Sequence, residues 1–95
     1  MGLRVEWDSE KAEQNLRKHG VSFGEAATVL GDPLSTDRPD PDHSETEERL
    51  LLFGRSSAGR FLIVSLTYRG DTVRLISARL MTPRERRSYE QSIDL

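Results

Sequence analysis

Leu3, Val5 and Trp7 alternate with Arg4 and Glu6 at the two-residue period of a half-buried strand, which predicts a strand over residues 3–7. The period then changes. Asp8 or Ser9 is a suitable N-cap, Glu10 suits the first turn, and Ala12, Leu16 and His19 recur on one helical face before Gly20, predicting a helix over 9–19. Ser22-Phe23-Gly24-Glu25 has the form of a capping box, with Val21 and Ala26 at the staple positions. A second helix therefore starts almost at once and runs through Val29 or Leu30, stopped by Gly31-Asp32-Pro33.

From Pro33 to Glu48 the chain is rich in prolines and acids and poor in apolar residues, which reads as a surface loop. Three apolar stretches follow, Arg49–Arg55, Arg60–Tyr68 and Thr72–Leu80, divided by Ser56-Ser57-Ala58-Gly59 and Arg69-Gly70-Asp71. Short polar turns with glycine predict an antiparallel meander. Phe61–Leu66 is nearly continuous apolar sequence, as a central strand requires. Thr82-Pro83-Arg84-Glu85 supplies an N-cap, a proline at the first helical position and an acid at the third, opening a last helix to about Gln91. The expected fold class is α+β, one domain over residues 1–95, ordered β-α-α-β-β-β-α, with an antiparallel sheet packed by helices.

Charge changes this picture. The 95 residues carry a net charge of −2, but residues 1–48 hold 5 Lys+Arg against 12 Asp+Glu, and residues 49–95 hold 9 against 4. All nine cations of the second half are arginine, whose planar fork matches phosphate oxygens in pairs and stacks on bases. That composition points to RNA. With no cysteine, thiolate nucleophiles and thiolate metal sites are excluded. The opening MGLRVEWDSEK lacks the apolar run of a signal peptide, and no stretch of the chain is apolar enough to span a bilayer. A cytoplasmic protein without membrane contact is expected.

Strict alternation along 72–80 would put Val73, Leu75, Ser77 and Arg79 on one face and Arg74, Ile76, Ala78 and Leu80 on the other, separating Arg74 from Arg79. Arg49 and Arg55 would share a face, about 20 Å apart. The arginines should therefore gather in a small cluster where the last strand meets the last helix, with Ser77 and Arg79 near Arg84 or Tyr89.

A metal-independent ribonuclease needs a base for the 2′-hydroxyl proton, cations for the phosphorane, and an acid for the leaving oxygen. Arginine meets the second need. Base and acid would come from Glu47, Glu48, His19, His43, Lys18 or Tyr89. His19 also suits the negative end of its helix. Asp40, Asp42, His43 and Glu45 have the makings of a hard-cation cluster but lack the spacing of a calcium loop, so neither metal nor cofactor is expected. Nucleotide-binding and serine-hydrolase motifs are absent.

Trp7-Asp8, Lys11, Asn15-Leu16, Lys18-His19-Gly20-Val21-Ser22-Phe23, Glu25-Ala26, Asp32-Pro33, Glu48-Arg49, Gly54-Arg55-Ser56, Arg74-Leu75-Ile76-Ser77-Ala78-Arg79 and Glu85-Arg86 with Tyr89 resemble the BrnT toxins. The resemblance implies a RelE-like ribonuclease toxin fold, RNA cleavage that arrests translation, and neutralisation by a BrnA-like ribbon-helix-helix antitoxin in a heterotetramer that meets DNA only through the antitoxin. It also implies an active surface with Arg55, Arg74 or Arg79, and Tyr89; with Glu48 as a candidate base these make up the expected catalytic set, and Lys18, Arg49, Ser77 and Arg84 are expected to contact RNA. A non-catalytic module that binds an antitoxin and regulates an operon is the alternative.

Overall fold

In the computed structural model, which describes residues 3–41 and 48–93, local capping sets the helices where the sequence predicts them. Helix α1, Ser9–His19, begins at Asp8, whose carboxylate accepts from the Lys11 N–H at 3.0 Å. Helix α2, Phe23–Thr28, begins at Ser22, whose hydroxyl accepts from the Glu25 N–H at 3.0 Å, and it tightens into a 3-10 turn over Val29–Gly31. Helix α3, Pro83–Ile93, starts with a reciprocal box: the Glu85 N–H donates to the Thr82 hydroxyl at 3.1 Å and the Thr82 N–H to the Glu85 carboxylate at 2.9 Å.

The strands are β1 (Arg4–Glu6), β2 (Thr36–Pro39), β3 (Arg49–Arg55), β4 (Phe61–Arg69) and β5 (Thr72–Leu80), in the spatial order β1-β5-β4-β3-β2. The α+β class and the meander stand. The number and direction of the strands need correction. The sheet is mixed, because β1 lies parallel to β5, with Val5 beside Val73. Part of the expected loop is also strand: β2 pairs antiparallel with β3, Thr36 opposite Phe53 and Pro39 opposite Leu50. Thr-Asp-Arg-Pro shows no apolar alternation because an edge strand needs hydrogen bonds on one side only and tolerates charge and proline there.

Helices α1 and α2 cover one face of the sheet, over a core that includes Val21, Phe23, Leu62, Leu66, Val73 and Leu75. Fully burying each large apolar side chain contributes roughly 1.5–3 kcal/mol. Gly54 lets β3 pass close beneath the 3-10 turn: a β-carbon there would stand 2.7 Å from Val29 Cγ1. Leu16 departs from its expected place. It is exposed, while Asn15 is buried on the packed side of α1.

Asn15 is buried for a reason of backbone chemistry. Strand β1 pairs with β5 only as far as Arg74, so the backbone of β5 beyond that point has no strand neighbour on this edge. The Asn15 amide takes that place, accepting from the Ala78 N–H at 3.1 Å and donating to the Ala78 carbonyl at 2.8 Å and the Val21 carbonyl at 2.9 Å.

A register shift in β5 overturns the expected strand faces. Ser65 pairs with Ser77 but Leu66 pairs with Leu75, so Ile76 is an extra residue and the alternation inverts across it. Val73, Leu75, Ala78 and Leu80 pair with Tyr68, Leu66, Val64 and Leu62, while Arg74, Ser77 and Arg79 pair with Thr67, Ser65 and Ile63. Arg74 and Arg79 therefore share the face opposite α1 and α2.

Candidate functional site

Paired residues in adjacent strands point the same way, so the registers lay out this second face in rows. One end carries Arg49, Thr67, Arg74 and Glu6; the middle carries Leu51, Ser65 and Ser77; then come Phe53, Ile63 and Arg79; the far end carries Arg55 and Phe61. Arg49 and Arg55 share the face, as expected, with the length of β3 between them.

At the Arg49 end the face opens into a cleft of about 310 Å³ lined by Lys11, Gln14, Asn15, Lys18, His19, Arg49, Ile76 and Ser77. Lys11, Gln14, Asn15 and Lys18 follow helical i, i+3, i+4, i+7 spacing, so one stripe of α1 forms one wall. The bulge at Ile76 forms the other, with Ser77 exposed beside it. Asn15 ties the two walls together. Among the described residues, Lys11, Lys18 and Arg49 form no ion pair. His19 is half-buried in the last turn of α1.

Elsewhere Arg60, Arg74 and Arg79 are matched by acids. Arg74 Nη1 contacts the Glu6 carboxylate at 2.7 Å. Arg79 makes a two-pronged pair with Glu85, at 2.8 and 2.9 Å, fastening the end of β5 to the start of α3. This pair and the Thr82 N–H hold the Glu85 carboxyl down at about 2, against some opposing desolvation, and Arg79 is raised by the same contact. Arg60 is a structural brace: Nε donates to Glu25 at 2.9 Å and Nη2 to the Gly20 carbonyl at 3.1 Å, while the Ser56 hydroxyl bonds the same carboxylate at 2.7 Å. The Arg60 hydrogen bond lowers the Glu25 pKa.

Within the expected cluster at the junction of β5 and α3, Glu85 occupies Arg79, while Arg84 forms no ion pair among the described residues. Arg84 is exposed on the first turn of α3. Tyr89 is buried, its hydroxyl donating to the Leu34 carbonyl at 3.1 Å and its ring edge-on to Phe61, and burial followed by the Asp32 charge pushes its phenol up. It borders a separate cavity of about 190 Å³ with Arg38, Phe53, Glu85 and Ser88. Glu48 is exposed immediately before β3, its carbonyl accepting from the Thr67 hydroxyl at 2.7 Å.

Of the residues singled out from sequence, Lys18, Arg49 and Ser77 meet in one cleft. Arg74 and Arg79 share its face, and Arg55, Arg84 and Tyr89 lie toward α3. Glu47, Asp42, His43 and Glu45 lie outside the described residues. Lys11, Gln14 and the wall-tying role of Asn15 were missed, although their spacing with Lys18 on one helical stripe was a usable signal. No described helix is long and apolar enough to cross a membrane.

A family profile described as the ribonuclease toxin BrnT of type II toxin-antitoxin systems matches residues 7–85. The chain belongs to the BrnT family. Its fold is similar to the crystal structure of the ribonuclease toxin BrnT of Brucella abortus, with a TM-score of 0.66 and 22% identity over 84% of this chain and 97% of that one. No curated protein sequence matches significantly. The BrnT match ends at Glu85, so it includes the cleft and leaves out most of α3.

Proposed function

We propose that this BrnT-family chain is an endoribonuclease toxin whose scissile phosphate sits in the cleft between α1 and β5. The observation that carries the reading is the gathering of Lys11, Lys18, His19 and Arg49 around Ser77, with no acid paired to the three cations among the described residues. An imidazole can take and return a proton near neutral pH, and fixed cations favour the charge that builds on a phosphorane. That set suffices for in-line attack by a 2′-hydroxyl without a metal.

In this mechanism His19 removes the 2′-hydroxyl proton as the 2′-oxygen bonds to phosphorus. Arg49 and Lys11 hold the non-bridging oxygens. The bond from phosphorus to the 5′-oxygen breaks, Lys18 gives that oxygen a proton, and a 2′,3′-cyclic phosphate and a 5′-hydroxyl result. Ser77 hydrogen-bonds the RNA at the cleft mouth. Glu48, beside Arg49, is the alternative base. Arg74, Arg79 and Arg84 contact flanking phosphates, the first two only as far as Glu6 and Glu85 release them. Tyr89 acts by positioning Phe61.

Cutting RNA in this way would arrest translation. A BrnA-like ribbon-helix-helix antitoxin would neutralise the toxin by covering the basic face with acidic side chains, the pair forming a heterotetramer that reaches DNA through the antitoxin. The test is incubation of purified chain with RNA in EDTA and end-group analysis of the fragments, alongside expression in growing cells with and without the antitoxin. Cyclic-phosphate ends and growth arrest relieved by the antitoxin are expected. Intact RNA and harmless expression, with tight antitoxin binding retained, would replace this reading with the non-catalytic module.

A further inference from the structure

At the opposite end of the same face, two guanidinium groups converge on one aromatic ring. Arg55 lies 5.5 Å and Arg86 4.0 Å from the centroid of Phe61. The arrangement is held from three sides. Phe61 meets the edge of Tyr89, which is itself anchored through its hydroxyl to Leu34. Arg55 donates from Nε to the Gly59 carbonyl at 3.3 Å, which leaves its terminal nitrogens for a ligand. Gly59 can present that carbonyl because its φ of 84° lies in the left-handed region that other residues rarely adopt.

Among the described residues neither guanidinium is held by a close, shielded carboxylate. Asp32 accepts from the backbone N–H groups of Leu34 at 2.9 Å and Arg55 at 2.7 Å and forms no ion pair with either guanidinium. Glu90 meets Arg86 at 3.5 Å, with both side chains about half exposed, an i,i+4 pair of a kind that contributes little in water. Arg55 forms no ion pair among the described residues. Two pre-positioned forks with this little compensation suit a phosphodiester, which can accept from both.

We infer that Arg55 and Arg86, mounted on Phe61, form a second RNA-binding subsite that grips a backbone phosphate several nucleotides away from the cleft. The inference rests on the nuclease reading for the identity of the polyanion, but not on cleavage. Arg49 and Arg55 stand about 20 Å apart along β3, so one extended single strand can reach from the cleft to the clamp. The clamp fixes how the strand crosses the face; the cleft does the cutting. Arg55 lies within the residues matched to the family and Arg86 one residue beyond them.

The test is binding of a 12-nucleotide 2′-O-methyl RNA, which has no attacking hydroxyl, by fluorescence anisotropy over a salt series. The full chain is compared with Arg55→Ala/Arg86→Ala, and with Arg17→Ala on α1 as a control for the loss of surface charge. Circular dichroism confirms that each variant is folded. The double variant should bind roughly tenfold or more weakly, and its slope of log affinity against log salt should be shallower by about 0.7, one phosphate's worth for a single strand. Arg17→Ala should change the slope little. An unchanged slope in the double variant, even if antitoxin binding falls, would overturn the inference, as would an equal change in the control. Failure of the wild-type chain to cut ordinary RNA would count against the nuclease reading and leave this binding result standing.

Discussion

Two corners of one sheet face carry basic side chains and differ in what surrounds them. In the cleft, Lys11, Lys18 and Arg49 line one cavity with no ion-pair partner among the described residues. At the junction of β5 and α3, Arg79 is gripped by Glu85 through two hydrogen bonds. Counting cations along the chain ranks the second corner higher. Pairing reverses the order, because a guanidinium already bound to a carboxylate must give up that contact before it can hold a phosphate. The cleft is arranged to receive an anion, and the junction is arranged to hold α3 in place.

Breaking the wall of the cleft should have the largest effect. Asn15→Ala removes three hydrogen bonds and leaves the Ala78 N–H and carbonyl buried without partners, so stability should fall by about 3 kcal/mol in urea titration, and cleavage with it. Gly54→Ala forces a β-carbon against Val29 and should cost about 1–3 kcal/mol by the same measurement. Because Gly54 faces the core, cleavage per folded molecule should survive, which separates damage to the cleft from loss of stability.

The junction should respond more mildly, and through pH. The Glu85 carboxyl sits at about 2 in the folded chain against an ordinary 4.5, so its contribution is complete above about pH 4.5 and disappears as pH falls toward 2. With a pair this exposed, solvent screening reduces the contribution to about 1 kcal/mol. Acid denaturation of Glu85→Gln should therefore match the parent near pH 2 and fall below it at pH 6. An equal gap at both pH values would remove the ion pair from the account.

Local chemistry was legible in the sequence. Ser22 with Glu25 and Thr82 with Glu85 marked two helix starts correctly, and the glycine turns marked the meander. Features set by partners distant in sequence were hidden. Strand β2 has no apolar period because its order comes from β3, and the bulge at Ile76 appears only when β5 is laid against β4. That single inserted residue brings Arg74 and Arg79 to one face, against the alternation rule. The Arg79 pair was missed for a simpler reason: Glu85 already had an assigned role as a capping residue, and its carboxylate performs both.

Parallel cleavage assays of Lys18→Ala/Arg49→Ala and Arg79→Ala in EDTA, each variant first shown to be folded, compare the two corners directly. The account predicts that the cleft variant loses at least about 100-fold in kcat/KM, the scale of removing fixed charge from a transition state, while Arg79→Ala loses less than about tenfold. The reverse order, with Arg79→Ala inactive and the cleft variant near wild type, would contradict it.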